Sequence, residues 1–359
     1  MKKPVVLGIA AIVIVLLCLL GWSVDPAAFL AAWLAAWWWC TGIALGALAN
    51  VWLHNLTGGN WGEAIRPQLL GVSRMIWAAV LLFLPVLLGM HDLYPWAQDA
   101  DSGVARFAAD LSVPAFKSAW LMPGFFALRS VLYLVLWIGL ALLSRRPGLQ
   151  RSRPFSAVAL ILYGISVSLA SVDWVMSLMP LWYSSIFGLL VGTAQMLGGM
   201  ALAIVLVAFR ANPPPPALLR DLGNLLLMYV LTWAYLAFMQ FLIIWAEILP
   251  HEIAWYLPRA HGVWLAVAWL RVLFLFAVPL LILLSRRAKQ APRMLGTLAA
   301  VLLAMLLVDA WWLVLPSLSV PGGQWLWAAP LAAIALGGAA LFSRRYWQPP
   351  LDRKEAARA

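Results

Sequence analysis

Five ionisable residues lie inside long apolar runs of this chain: Arg129, Asp173, Glu247, Arg271 and Asp309. A charge within a membrane span is costly and marks a functional candidate by default. At 1.5 Å of rise per residue, Asp173 and Asp309 each lie about 10 Å inside the same membrane face, Arg129 about 8 Å and Arg271 about 14 Å. That common layer pairs Arg129 with Asp173 and Arg271 with Asp309, because a buried charge without a partner is strongly destabilising. Glu247 sits near the boundary, with no opposite charge on an adjacent span. Two readings stand for the layer. It is either two symmetric salt bridges that pin helix packing, or a proton relay or polar wall of a quinone pocket. In the second reading Glu247 is the first choice for a titrating group and Asp173 the next.

Other chemistries find little support. The four histidines, His54, His91, His251 and His261, fall at span ends or in loops. A haem in a helical bundle needs axial histidines at membrane depth. Cys18 and Cys40 form neither a CxxC pair nor a zinc spacing and read as small packing residues. No Gly-rich phosphate loop or HExxH is present. The expectation is a chain with no metal or covalently bound cofactor and no redox centre of its own, with quinol or menaquinol as a possible ligand.

The elements that must position these residues follow from composition. Of the 359 residues, 65% are hydrophobic and 10% charged, far from the balance of a soluble domain. Apolar runs of spanning length recur from end to end, so the chain is an all-α polytopic membrane protein. Ten spans are expected, near 4–22, 29–53, 73–91, 124–143, 155–179, 184–209, 222–247, 262–284, 294–315 and 325–343. The start, "MKKPVVLGIAAIVIVLLCLLGW", reads as an uncleaved first span, with a cleaved signal peptide as the alternative.

Most of the 24 lysines and arginines fall in alternate loops and at the termini. Among them are Arg145, Arg146, Arg151 and Arg153, then Arg286, Arg287, Lys289 and Arg293. Basic loops are cytoplasmic, which places both termini there. The net charge of +11 is therefore a topology signal and not a nucleic-acid footprint. The 92–123 loop, rich in aspartate, faces the other side and could dock a peripheral subunit or simply be solvated. "NPPPP" (Asn212–Pro216) reads as a stiff spacer.

The middle eight spans repeat. "VLYLVLWIGLALLSRR" (Val131–Arg146) resembles "VLFLFAVPLLILLSRR" (Val272–Arg287). "DLYP" (Asp92–Pro95) faces "EILP" (Glu247–Pro250), and each Val-Asp at Asp173 and Asp309 precedes a proline by seven residues. Gly42/Gly46 and Gly188/Gly192 mark the leading spans with steps that let helices approach closely. Equivalent spans are four apart and run the same way, a parallel repeat. One integral membrane domain (1–343) is expected, with four-helix bundles at 29–179 (spans 2–5) and 184–315 (spans 6–9), a flanking span on each side and a basic tail at 344–359.

"SVDWVMSLMPLWYSS" (Ser171–Ser185), "QFLIIWAEILPHEIAWYLPRAHGVW" (Gln240–Trp264) and "VDAWWLVLPS" (Val308–Ser317) together resemble the ActF-type membrane subunits of alternative complex III. These are relatives of the NrfD-type, polysulfide-reductase membrane subunits. The resemblance covers about residues 30 to 330. It implies a subunit of a quinol:cytochrome c oxidoreductase in the bacterial inner membrane. The implied partners are a multihaem cytochrome c, an iron–sulfur protein and a sister NrfD-like membrane subunit. Carried over by motif, the site residues are Asp173 with Trp174, Ser177, Trp182 and Tyr183; Glu247 with Glu252, Trp255 and Tyr256; and Asp309 with Trp312. A secondary transporter and a purely structural anchor for extrinsic redox subunits remain the competing classes, since parallel repeats and buried charges also occur in transporters.

Overall fold

The computed structural model describes residues 3–98, 114–247, 249–318, 327–334 and 337. Among them the secondary structure is helical, with no strand. In chain order the helices are α1 (Lys3–Val24), α2 (Pro26–Thr57), α3 (Asn60–Val72), α4 (Ile76–Leu82), α5 (Leu84–Leu88), α6 (Met90–Leu93), α7 (Pro114–Trp120), α8 (Pro123–Leu143) and α9 (Arg153–Trp174). They continue with α10 (Phe187–Ala208), α11 (Pro216–Glu247), α12 (Pro250–Ile253), α13 (Gly262–Arg271), α14 (Val278–Leu284), α15 (Arg286–Gln290) and α16 (Pro292–Val314).

Eight segments are long and apolar enough to cross a membrane: Pro26–Thr57, Asn60–Leu88, Pro123–Leu143, Arg153–Leu178, Phe187–Ala208, Pro216–Glu247, Gly262–Leu284 and Pro292–Ser317. They correspond to the second through ninth expected spans. The first is helical as α1, with Ile12–Val24 as its apolar part. Most of the tenth (325–343), the basic tail and the core of the acidic loop (99–113) lie outside the described residues.

One stretch expected to be a loop is helical. Residues 60–72 form α3 because Ile65, Leu69 and Val72 recur at helical spacing and are buried. Arg66 runs beside them and donates to Asn55 Oδ1 (2.9 Å) and to the Gln150 carbonyl. Arg145 reaches back from the end of α8 to Ser73 Oγ (2.8 Å) and the Leu70 carbonyl (3.1 Å). Arg151 pairs with Glu63 at the surface, and the hydrogen bonds it donates to that carboxylate raise the Arg151 pKa. The basic end of the molecule is thus a hydrogen-bonded platform joining α2, α3 and the α8–α9 turn.

α2 is the central helix. Asp25 caps it by accepting from the Ala28 N–H (2.9 Å), and Pro26 follows at the first turn. Its sequence is apolar on every side, as a helix surrounded by protein requires. Of its most apolar window 89% is buried, against 22% for the α13–α14 segment, whose sides remain exposed. α2 packs most extensively against α10, and both pack against α9 and α16.

Glycines set how closely α2 and α10 approach. A Cβ on Gly46 would lie 1.7 Å from the Gln195 carbonyl oxygen, and one on Gly199 would lie 2.3 Å from the Ala47 nitrogen. Backbone therefore touches backbone at this crossing. Of the small-residue steps read from the sequence, Gly42/Gly46 does face α10. Gly188 instead meets Ser168 of α9, and the α10 side of the crossing is made by Gly198 and Gly199.

Two prolines interrupt spans. Pro85 sits in the first turn of α5, just past the break from α4 at Phe83, and neighbouring indoles bond to the carbonyls before that break. Trp33 Nε1 donates to the Leu82 carbonyl (2.8 Å) and Trp37 Nε1 to the Ala79 carbonyl (2.7 Å). Pro279 follows a π-helical turn, Val272–Ala277, that begins directly after Arg271.

Candidate functional site

Both expected ion pairs form. Arg129 meets Asp173 in a two-pronged bond, Nε to Oδ2 and Nη2 to Oδ1, each 2.9 Å. Tyr133 Oη adds a bond to Oδ2 (2.8 Å) and Trp120 Nε1 one to Oδ1 (2.7 Å). The guanidinium lies 4.0 Å from the Trp120 ring centre and 4.4 Å from that of Phe125. Asp173 is wholly buried, and each of its oxygens accepts two hydrogen bonds. A carboxylate this well bonded is fixed in place. This is the geometry of a structural clamp.

The next residue, Trp174, forms the hub of an aromatic cluster. It is wholly buried and donates through Nε1 to Ser130 Oγ (2.9 Å). Its ring centre lies 4.7 Å from Phe83, 5.1 Å from Trp37, 5.5 Å from Trp38, 5.6 Å from Trp137 and 5.8 Å from Tyr133. The contacts with Trp37, Trp38, Tyr133 and Trp137 are edge-on, the arrangement ring quadrupoles favour. Ser177 Oγ donates to the Asp173 carbonyl, and Tyr94 Oη to that of Trp174 (3.1 Å), closing the end of α9.

The second pair differs. Arg271 Nε donates to Asp309 Oδ1 at 2.6 Å, and its Nη2 approaches the same oxygen. Among the described residues Oδ2 accepts no hydrogen bond. The guanidinium stacks on Trp312 at 3.7 Å, with Trp233 at 5.5 Å. Tyr256 joins the same cluster across Trp312, ring centres 6.4 Å apart, and accepts a long bond from Gln240 (3.5 Å). The duplicated sequence motif therefore builds one closed and one open carboxylate site.

Asp309 lines a cavity of about 40 Å³ between α2, α10 and α16, bounded also by Trp38, Gly42, Gln195, Gly198 and Ala310. A water needs roughly 10–15 Å³ on this measure, so there is room for about three or four. A quinone ring needs a pocket of several hundred Å³.

The remaining expected residues lie apart from this centre. Glu247 ends α11 and is exposed, with no ion pair among the described residues. Tyr183 is exposed as well, with Lys117 Nζ 5.7 Å from its ring centre. Burial lowers the Lys117 pKa. No group of three or more histidines, cysteines and acids that could hold a metal occurs among the described residues.

Two residues that the charge pattern did not single out are prominent. Arg259, 1% exposed, has no carboxylate partner among the described residues and lies 3.5 Å from the Trp255 ring centre. It donates to the carbonyls of Trp255 (2.6 Å), Trp312 (3.1 Å) and Leu313 (2.8 Å), and to Ser317 Oγ (2.7 Å). The carbonyls at the end of α16 carry the negative pole of that helix and balance the charge. Burial first, and the Arg271 charge second, drive the Arg259 pKa well below the usual arginine value, a measure of what those carbonyls offset. Gln195, 5% exposed, accepts from Tyr163 Oη at 3.1 Å while its Nε2 has no partner. Its signal in the sequence was an amide within the apolar run of α10, a neutral group that a search for charges passes over.

The chain matches no family model and no curated protein.

Proposed function

We propose that this chain is an integral membrane subunit of a quinol-oxidising respiratory complex of the quinol:cytochrome c oxidoreductase type. In this reading it sits in the bacterial inner membrane with ten spans, two four-helix bundles and both termini in the cytoplasm. Its partners are a multihaem cytochrome c, an iron–sulfur protein and a sister NrfD-like membrane subunit. The observation that carries the reading is the duplicated arginine–aspartate pair, set in aromatic shells on the very motifs that resemble ActF-type subunits. The quinol pocket itself belongs to the sister subunit in this account, because the space beside Asp309 is far too small for a quinone ring. This chain supplies a rigid frame at Asp173 and a site for proton handling at Asp309.

Purification from native membranes through a tag on this chain tests the proposal. Co-isolation of c-type haem and iron–sulfur protein with quinol:cytochrome c activity is the expected result. Isolation of the chain alone would overturn it and favour a secondary transporter. Co-isolation with activity that is indifferent to substitution of Asp309 would reduce the chain to a structural anchor.

A further inference from the structure

We propose that the cavity between α2, α10 and α16 is a hydrated protonation site. In it, bound water bridges Asp309 Oδ2 to Gln195 Nε2, so that Asp309 takes up and releases a proton without leaving Arg271. This inference stands on the geometry and does not depend on the identity of the wider complex.

Three observations converge. The Asp309 carboxylate is 3% exposed and is gripped through Oδ1 alone. The Gln195 amide is equally enclosed, and its Nε2 has no partner. Both residues line the same cavity, whose volume of about 40 Å³ suits water and whose other walls are almost wholly apolar. Internal waters occupy sites of this size when at least two polar groups converge on them. An apolar cavity would stay dry, but the residues that carry an unmet amide donor and a carboxylate oxygen without a hydrogen bond both line this one.

The amide is also held in place. Tyr163 Oη donates to Gln195 Oε1 (3.1 Å) and lies within reach of the Gly192 carbonyl (3.2 Å), which turns Nε2 away from Tyr163. On the other side, Gly42 leaves no space for a larger residue, since a Cβ there would lie 2.9 Å from Gln195 Cγ. Gln195 is thus a positioning residue that orients water, and Asp309 is the group that titrates.

The proton balance is simple. A hydronium on the cavity waters gives its proton to Oδ2 and becomes water, while Oδ1 keeps its bond to Arg271. Release is the reverse. Among the described residues, the charged groups facing Asp309 are Arg271 on α13 and, against the Trp312 ring, Arg259. α2 and α10 present only neutral groups to the cavity. Asp173 cannot serve in this way, because both of its oxygens are already filled.

The test uses the protein in its native assembly, in lipid nanodiscs. High-resolution electron cryomicroscopy is expected to show water density within hydrogen-bonding distance of both Asp309 Oδ2 and Gln195 Nε2. Infrared difference spectra in D₂O are expected to show exchange at a carboxyl band that Asp309→Asn removes. Gln195→Met is expected to remove the bridging density and slow that exchange more than tenfold. Ala194 also lines the cavity and makes no side-chain hydrogen bond, so Ala194→Leu should fill the space and do the same, and it serves if Gln195→Met fails to fold. A dry cavity, or exchange unchanged in a folded variant of either kind, overturns the proposal.

Discussion

Arg271 holds Asp309 by one carboxylate oxygen, whereas its counterpart in the first half of the chain engages both oxygens of its aspartate. The asymmetry separates two tasks that identical motifs would otherwise share. A carboxylate with both oxygens filled resists change, and one bonded through a single oxygen keeps a lone pair available for a proton or a water.

The closed pair should behave as a buried structural bridge. Asp173→Asn leaves Arg129 uncompensated and is expected to cost about 3–5 kcal/mol, as for other broken buried pairs. The double substitution Arg129→Met with Asp173→Leu should recover much of that loss. Thermal unfolding of the purified single and double variants measures the coupling, and additive losses would contradict the bridge.

The helix crossing should reject any side chain at its tightest point. Gly46→Ala drives a methyl group into the Gln195 carbonyl and is expected to cost about 1–3 kcal/mol or more. Gly164→Ala, with nothing near its Cβ position, should be neutral or slightly stabilising through helix propensity. Chemical denaturation of the two variants side by side gives the contrast.

Arg259 should not be replaceable by lysine. Its fork serves several acceptors at once, and bonds from a charged donor are each worth about 1.5–3 kcal/mol. Arg259→Lys is therefore expected to lower the melting temperature and to expose the 249–261 segment to protease. An unchanged digestion pattern would count against the clamp.

Glu247 can be tested directly for a role in proton movement. It is exposed at the end of α11, so Glu247→Gln should alter stability by less than about 0.5 kcal/mol. If the proton path runs through Asp309, quinol-driven proton release by the assembled complex should keep its rate and stoichiometry in this variant. A loss of release would restore Glu247 as the titrating group.

Much of the fold was legible from the apolar runs, because a backbone in lipid has no alternative to helix. The two ion pairs were legible for a related reason: two buried charges of opposite sign at one depth must meet. What escaped was carried by neutral or local features. α3 has a polar face and a proline, and its helicity comes from three apolar residues that cover the platform at the basic end. Gln195 bears no charge, so its burial became informative only beside an unfilled cavity. Arg259 lies in a connecting segment where arginines are ordinarily exposed, and nothing local announces that the end of α16 folds over it. The difference between the two aspartates lay beyond the motif, because it depends on Tyr133 and Trp120, whose hydroxyl and indole N–H complete only the first site.

The contact of α2 with α10 also limits how the molecule can move. At Gly46 and Gly199 the two backbones have no layer of side chains between them to shear. Sliding one helix past the other by a residue would drive the Leu45 or Ala47 side chain into peptide groups. A rocking motion of one half of the repeat against the other, as alternating access requires, would have to break this seam. A swing of one half against the other would therefore cost every backbone contact along this crossing at once, where an ordinary interface would let side chains slide.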